Sequence, residues 1–243
     1  MSSRCVKLVT QGPIVSFTFD DFPRTALTIG GQILKDRGCR GTYYAAVGLM
    51  NRVNHLGDQF TRKDLETLMR DGHELASHTH DHVSCRSISC SSFRENVEMG
   101  RRALEELTGS LDFGNFAFPF GDVTLRAKKY IGQDVASSRS IWGGLNAAAV
   151  DLNLLRANSL YGDSNNVPQI RELIIENARQ KSWLIFYSHD VRNTPSRYGC
   201  TPDLLKSAVE IAQQSGARIA TVAEVVSGLT ALPLEAHHSL TYS

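Results

Sequence analysis

Two adjacent carboxylates, Asp20 and Asp21, follow the alternating apolar residues of the stretch VSFTFDD. Carboxylates this close repel each other unless a cation lies nearby, and a divalent metal would remove that repulsion. One aspartate can then ligate the metal while the other accepts a proton from a metal-activated water. A turn or a helix cap would explain Asp21 alone, but it would not explain the histidines further along the chain.

The stretch HTHDH places His78 and His82 four residues apart, with His80 between them. Two imidazoles at this spacing can chelate one ion, and one added carboxylate leaves a coordination position open for water. In an extended strand, His80 would share a face with both neighbours, so spacing alone leaves the ligand pair open. The alternative is a polar loop whose histidines bond only to the backbone. Together with the aspartates, the spacing favours a metal site.

Four predicted strands end in ionisable or special residues: SFTFDD, ELASHTHDH, FAFPFG and LIFYSHD. Short β-type runs alternate with helical patterns along the chain, which is typical of βαβ units around a parallel sheet. In β/α barrels the carboxyl ends of the strands share one rim, where functional groups gather. We therefore expect the two aspartates, the HTHDH histidines and His189 to converge. An open doubly wound sheet is the alternative, because sequence does not show closure.

The remaining strand candidates are GTYYAAV, VASSRSIW, NLLRANSL and RIATV. Helical patterns end at glycines that suit a C-terminal cap, Gly72, Gly109 and Gly216. The last of these helices begins with the dipeptide TP, a threonine cap followed by a proline at the first helical position. The alternation predicts seven or eight such units.

The 243 residues are enough for one sizeable core, so we expect one main domain. With 26 basic and 25 acidic residues the net charge is +1, which gives no support for binding to nucleic acid or anionic lipid. No membrane span and no secretory signal are recognisable, so a cytoplasmic location is expected. Five irregularly spaced cysteines favour reduced thiols, with a Cys85–Cys90 pair or metal site as the alternative. The oligomeric state stays open.

These residues resemble the motifs of the polysaccharide deacetylases with a NodB homology domain, carbohydrate esterase family 4. TFDD, HTHDH, FAFPFG and IFYSH are similar to the first, second, third and fifth motifs, and GGLNAAAVDLNLLRANSL resembles the segment around the fourth. The resemblance implies a distorted (β/α) barrel of about seven parallel strands. It places a NodB-like domain at residues 13–226, between an N-terminal extension of residues 1–12 and a tail of residues 227–243.

The resemblance also assigns roles. It implies that Asp21, His78 and His82 bind one divalent metal ion, zinc by preference, with cobalt or nickel as alternatives. Asp20 would be the general base and His189 the general acid. The metal and a backbone N–H of the FPFG turn would then stabilise the oxyanion.

Four residues are expected to contact the substrate or the oxyanion: Pro119, Phe120, Trp142 and Phe22. Phe22 stands where most relatives carry glycine, so we expect a bulky ring that narrows or reshapes the entrance. Tyr161, Tyr187 and Tyr198 are further aromatics near strand ends, for which a place in the core is the competing interpretation.

Two departures from the family pattern concern the proton-transfer groups. Ala117 replaces the arginine that normally holds the base, and we hypothesise that Arg156 supplies a guanidinium to Asp20 instead. The aspartates of the fourth motif are also absent, which leaves Asp163 and Asp190 as nearby candidates to orient the second nitrogen of His189.

The expected function is hydrolysis of an N- or O-linked acetyl group on a carbohydrate or an acetylated small molecule. One alternative is hydrolysis of non-sugar amides, such as cyclic ureides or imides, since fold does not decide substrate. A second alternative is a non-catalytic carbohydrate-binding domain that keeps the metal site. The presence of both Asp20 and His189 argues against it, because a binder needs neither a base nor an acid.

Overall fold

The computed structural model describes residues 3–109 and 114–229. Its strands in chain order are β1 Cys5–Lys7, β2 Ile14–Asp21, β3 Thr42–Ala45, β4 Val53–Asn54, β5 Gly57–Asp58, β6 Glu74–Ser77, β7 Asn115–Ala117, β8 Ser137–Arg139, β9 Ala149–Asp151, β10 Asn158–Ser159, β11 Trp183–Ser188 and β12 Arg218–Ile219.

Within the same residues, the α-helices are α1 Gln32–Lys35, α2 Arg62–Arg70, α3 Cys90–Thr108, α4 Leu125–Asp134, α5 Val167–Gln180, α6 Pro202–Gln214 and α7 Val222–Ser227. A π-helical turn, Ala26–Gly31, leads into α1. Short 3-10 turns are formed by Val47–Leu49, Pro119–Gly121 and Ser164–Asn166.

Seven parallel strands form one curled sheet in the order β10-β11-β2-β3-β6-β7-β8, and β12 pairs with the start of β2. Arg139 in β8 also makes a parallel bridge to Leu155, just before β10, so the two edges of the sheet approach each other. The distorted (β/α) barrel of about seven parallel strands is therefore confirmed. The carboxyl ends of its strands share one rim.

The central strand β2 is buried at all eight positions, as expected for a parallel strand covered on both faces. Helix α6 packs its apolar face, with Leu204, Leu205, Ala208 and Val209, into the main core. The predicted helix signals are confirmed: Thr201 caps α6 ahead of Pro202, and Gly109 ends α3 in the left-handed conformation. Of the strand expected from NLLRANSL, only Asn158–Ser159 forms regular pairing.

The N-terminal strand β1 pairs antiparallel with β9, a strand that the sequence patterns did not predict. The proposed domain limits at residues 12 and 226 stay a prediction, and most of the proposed tail, from residue 230 on, lies outside the described residues. All five cysteines are free thiols. Among the described residues, no helix is both long enough and apolar enough to cross a membrane.

Candidate active site

Asp20 and Asp21 are the last two residues of β2, and both are 5 % exposed. Parallel pairing with β3 sets them level with Tyr44 and Ala45. Asp21 and the next residue, Phe22, then adopt φ angles of 62° and 64°. Left-handed backbone at a residue other than glycine costs about 1–3 kcal/mol, so the surrounding packing must hold this turn in place. The turn stops the strand and leaves the two carboxylates beside the cleft.

Phe22 supplies part of that packing. Its side chain is fully buried, stacked on Phe60 with ring centroids 4.8 Å apart and in contact with Tyr43 at 5.1 Å. The Phe60 N–H also donates to the Phe22 carbonyl. The prediction that Phe22 narrows the cleft entrance is therefore wrong, because the left-handed turn directs its ring into the core.

Asp21, His78 and His82 form a compact group, which we name the metal group. The Asp21 Oδ1 atom lies 3.3 Å from His78 Nε2 and 2.9 Å from His82 Nε2. All three candidate ligand atoms lie within 4.8 Å of one another. The Nδ1–H of His78 donates to the Ala117 carbonyl at 2.8 Å, which leaves Nε2 as the free nitrogen that faces Asp21.

The metal group suits a divalent cation. Asp21 Oδ1 is buried and has no partner of hydrogen-bond geometry, although two imidazole nitrogens lie close to it. Burial alone would raise the pKa of Asp21, but the two histidines outweigh it and hold that pKa well below its usual range. One ionised carboxylate oxygen and two imidazole nitrogens are a donor set that zinc and related cations accept, with a position left open for water or substrate.

His80, the remaining histidine of HTHDH, lies outside the metal group. Its Nδ1 is 2.7 Å from Asp81 Oδ1, and Asp81 Oδ2 accepts from Asn96 Nδ2 at 2.6 Å. The Asn96 side chain, carried on α3, also accepts from the backbone N–H groups of His80 and Asp81. These bonds fasten the HTHDH segment to α3, so the histidine at the middle position stabilises the loop.

Asp20 faces the guanidinium of Arg139, whose Nη2 donates to Asp20 Oδ1. Both side chains are buried, Arg139 to 1 % exposure. Burial would lower the pKa of Arg139, but the Asp20 carboxylate outweighs it and raises that pKa, so the guanidinium stays charged. The Arg139 Cζ lies 4.6 Å from the ring centroid of Tyr44 and 5.4 Å from that of Tyr187. Two aromatic rings thus hold the arginine against the carboxylate.

The hypothesis that Arg156 holds Asp20 is wrong. Arg156 is exposed, and its Nη1 donates to the Gly143 carbonyl. Parallel pairing of β7 with β8 sets Arg139 directly opposite Ala117, the position of the missing arginine. The guanidinium therefore comes from the neighbouring strand at the same level of the sheet. The sequence did offer a signal for this arginine, because it stands inside the predicted strand VASSRSIW. A charged residue in a buried strand needs a partner of opposite charge.

His189 follows β11, and its Nδ1 lies 3.2 Å from the backbone carbonyl of Tyr198. A carbonyl only accepts, so Nδ1 carries the hydrogen and Nε2 is the nitrogen available for other contacts. Neither aspartate candidate bonds to the ring. Asp163 caps the 3-10 turn Ser164–Asn166, and Asp190 bonds to the loop that carries Tyr198.

The aspartates, the metal group and His189 line one cleft of about 540 Å³. Phe120 and Ile141 contribute apolar lining, and Phe120 lies 61 % exposed with its ring 4.5 Å from that of His82. Pro119 is buried and Trp142 is exposed, but neither lines the cleft. The other lining residues are Leu49, Asn54, His55, Gly121, Tyr161, Tyr187, Arg197 and Tyr198. Asn54 ends β4 and His55 follows it in the turn of the hairpin, and neither carried a sequence signal. Arg197 lies in the loop after His189, NTPSRYGC, for which the sequence suggested a place at the pocket.

Comparisons with known proteins agree with this architecture. Residues 7–134, more than half of the chain, match the family model described as polysaccharide deacetylase. The structure is similar to the chitin deacetylase of the fungal pathogen Colletotrichum lindemuthianum, with a TM-score of 0.64, 18% identity and 96% of each chain covered. No curated protein matches in sequence.

Two other solved structures are similar as well. The Xyl-CE4 domain of a multidomain xylanase from the hindgut metagenome of Trinervitermes trinervoides gives a TM-score of 0.61 at 21% identity, covering 89% of this chain and 91% of that chain. PdaA of Bacillus subtilis, a family 4 carbohydrate esterase, gives a TM-score of 0.59 at 11% identity, covering 93% of this chain and 85% of that chain. At these identities the structural likeness establishes the fold, and the family model establishes the membership. The chain therefore belongs to the polysaccharide deacetylase family, carbohydrate esterase family 4 with the NodB homology domain.

Proposed function

We propose that this protein is a metal-dependent hydrolase that removes N- or O-linked acetyl groups from a carbohydrate. Membership of the polysaccharide deacetylase family supports hydrolysis of acetyl groups on a carbohydrate. The observation that carries the finer proposal is the metal group of Asp21, His78 and His82 beside a second carboxylate, Asp20, that does not belong to it. Because Asp20 is not a member of the metal group, its carboxylate can accept a proton.

The residues of the cleft divide the reaction between them. A divalent cation in the metal group would supply Lewis acidity, which makes water a better nucleophile at neutral pH and polarises an acyl carbonyl. Asp20, held by Arg139, accepts a proton from water as the water oxygen attacks the acetyl carbon. His189 keeps its Nδ1–H on the Tyr198 carbonyl and, as the imidazolium with a second proton on Nε2, donates that proton to the leaving nitrogen or oxygen as its bond to carbon breaks. The products are acetate and a free amine or hydroxyl.

The lining of the cleft supports a sugar as the substrate. Tyr161, Tyr187 and Tyr198 form one wall, with Tyr161 in edge contact with the other two rings at 5.5 and 6.1 Å. Phe120 offers an exposed ring that contacts the ring of His82 in the metal group. Aromatic rings combine apolar area with a polar edge, which suits the mixed faces of a pyranose.

The first experiment combines metal analysis with product analysis. The purified protein is assayed on chitin oligosaccharides and acetylated xylan, before and after chelation and after addition of zinc, cobalt or nickel. We expect about one divalent ion per chain and acetate release that a chelator stops and metal restores. Ammonia or carbamoyl products from cyclic ureides, without acetate from sugars, would contradict the proposal. So would sugar binding with no acyl hydrolysis.

Three variants test the division of labour. We expect Asp20→Asn to keep its metal and to lose turnover by about 10²–10⁴-fold, the usual contribution of a general base. His82→Ala should lose both metal and turnover. His80→Ala is the matched control, because His80 lies in the same segment but outside the metal group, and it should retain metal. Loss of metal from His80→Ala alone, or full turnover by Asp20→Asn, would refute these assignments.

A further inference from the structure

The charged groups that line the cleft form two sets. On the floor, Asp20 is paired with Arg139, and Asp21 faces the two histidines of the metal group. At the rim lies Arg197, which is exposed. Within residues 3–109 and 114–229, no carboxylate lies within ion-pair distance of Arg197. Asp20 therefore has a cationic partner and Asp21 faces the metal group, while Arg197 at the rim has no carboxylate partner among the described residues.

Arg197 is held by the loop that contains it. Its Cζ lies 4.5 Å above the ring of Tyr198, and the Tyr198 carbonyl is the group that faces His189. Stacking of a guanidinium on a tyrosine ring fixes its plane and leaves its edge N–H groups available. Tyr198 therefore contacts both Arg197 and His189, the proposed general acid, so the cation and the acid lie on the same side of the cleft.

Asp190 stabilises the loop that carries Arg197 and Tyr198 through hydrogen bonds to Ser196. It is fully buried, its Oδ2 accepts from the Ser196 backbone N–H at 2.8 Å, and its Oδ1 accepts from Ser196 Oγ at 2.5 Å. Arg192 Nε lies 2.7 Å from Asp190 Oδ2. A Cβ on Gly199 would come within 2.4 Å of Asp190, so glycine lets the loop close over the carboxylate. A loop fixed in this way loses little conformational entropy when it binds a ligand.

A second loop completes the rim. The hairpin β4–β5 carries His55, whose ring lies edge-on to Tyr198 at 6.2 Å. Asn54 Oδ1 accepts from the Leu56 N–H at 2.8 Å and from Gln59 Nε2 at 3.1 Å, which fixes the tip of the hairpin. Two independent loops thus place nitrogen donors at one rim. Other cleft residues, Phe120 and Ile141, are apolar and exposed.

We propose that Arg197, with His55 beside it, binds an anionic oxygen group, a carboxylate or a phosphate, on the acetylated carbohydrate. The inference rests on the proposed function and narrows its substrate class to acidic sugars. The apolar residues take the less polar face of the ring, and the guanidinium takes the anion through charge-assisted hydrogen bonds. Neither floor carboxylate forms an ion pair with Arg197, because Asp20 is held by Arg139 and Asp21 faces the histidines of the metal group.

The test compares substrates that differ only in charge. Hyaluronan oligosaccharides alternate N-acetylglucosamine with glucuronate, and the same oligosaccharides with amidated carboxylates are the neutral match. A second pair, N-acetylglucosamine 1-phosphate and the neutral methyl glycoside of N-acetylglucosamine, measures the preference for a phosphate. Comparison of the two pairs shows which anion is preferred. We expect a kcat/KM for the preferred anionic member about 5- to 20-fold above that for its neutral match, the range of one charge-assisted hydrogen bond.

The variants locate the effect. Arg197→Gln should lower kcat/KM for the preferred anionic member more than for its neutral match, so that the ratio of the two values falls to about one, and Arg197→Lys should restore part of that ratio. Arg218→Gln is the control, because Arg218 is exposed at the opposite end of the sheet and should leave the preference intact. Equal kcat/KM for charged and neutral members in the wild type, or an equal loss for both in Arg197→Gln, would overturn the inference.

Binding separates this inference from the proposed function. The preference can be measured without turnover in the Asp20→Asn variant and in the double variant that also carries Arg197→Gln. Each variant is titrated with two ligand pairs: intact and amidated hyaluronan oligosaccharides, and N-acetylglucosamine 1-phosphate and its methyl glycoside. Tighter binding of an anionic member that disappears with Arg197→Gln supports the inference. Equal dissociation constants within both pairs overturn it. Absence of acetate from every substrate, by contrast, counts against the proposed function.

Discussion

The two halves of the cleft are built in different ways. The metal group draws two of its three members, His78 and His82, from one segment of five residues and the third from the end of β2. The proton-transfer half is assembled from distant segments: Arg139 of β8 holds Asp20 of β2, and the Tyr198 carbonyl holds His189. Short-range sequence therefore brings two of the three metal-group members together, whereas strand pairing and loop structure assemble the proton-transfer half.

This difference shows how a departure from a family pattern can be compensated. Ala117 and Arg139 are opposite each other on neighbouring strands, so a guanidinium can move one strand along and still reach the same carboxylate. The small side chains Ala76 and Ala117, which contact Tyr44, leave room beside that tyrosine for the guanidinium stacked on it. The metal group has no such freedom, because its ligands must meet at one point.

The largest expected effect on stability follows from breaking the buried ion pair. Arg139→Met leaves Asp20 buried without its cation, so we expect the free energy of unfolding to fall by about 3–5 kcal/mol. Arg156→Met is the matched control, because Arg156 is exposed and bonds only to the Gly143 carbonyl through its side chain. We expect its effect to stay within about 0.5 kcal/mol. Urea denaturation measures both, and equal losses would show that the distinction between the arginines is wrong.

A second prediction compares two histidines at opposite ends of β6, a structural one and one of the metal group. His73 precedes β6 and His78 follows it, but His73 is buried away from the cleft and its Nδ1 accepts from the Gly41 N–H at 3.0 Å. Burial lowers the pKa of His73 to about 4. Below about pH 6.5 the unfolded chain takes up a proton that the folded chain does not, so stability falls on acidification.

Between pH 6.5 and about 4 this residue should remove on the order of 3 kcal/mol of stability, a loss absent above pH 6.5. Denaturation of the wild type and His73→Gln across this range measures the difference in slope. His73→Gln should keep its metal and its turnover at pH 7. A wild-type slope unchanged by the substitution would show that His73 is not the group responsible.

The smallest of these effects concerns the loop that orients His189. Asp190→Asn weakens the pairing with Arg192 and the bonds to Ser196, so we expect kcat to fall about tenfold, equivalent to about 1.4 kcal/mol. Asp163→Asn is the control, because Asp163 is exposed and only caps a 3-10 turn. Steady-state kinetics at saturating metal distinguishes them, and equal kcat values for the two variants would argue against a role for the loop.

Local patterns predicted the fold and indicated a metal site, whereas the choice of Asp21, His78 and His82 as its members came from the family resemblance. Apolar runs, cap residues and the spacing of HTHDH are short-range signals, and the parallel sheet brings strand ends to one rim without further information. Three features were out of reach of such patterns. Phe22 is buried by Phe60, nearly forty residues later. Arg139 stands inside a predicted strand pattern, but its pairing with Asp20 depends on strand register. The partner of His189 is a backbone carbonyl that has no signature in sequence. The cytoplasmic location stays a prediction.

The central claim is that Arg139 holds Asp20, the role that the family resemblance assigns to an arginine at position 117. The most direct test measures acetate turnover and metal content in two variants. The first is Arg139→Ala, and the second combines Arg139→Ala and Ala117→Arg. We predict that the single variant keeps its metal but loses about 100-fold in kcat, since a displaced catalytic group costs that order, and that the double variant recovers part of the loss. Wild-type turnover by Arg139→Ala would contradict the claim.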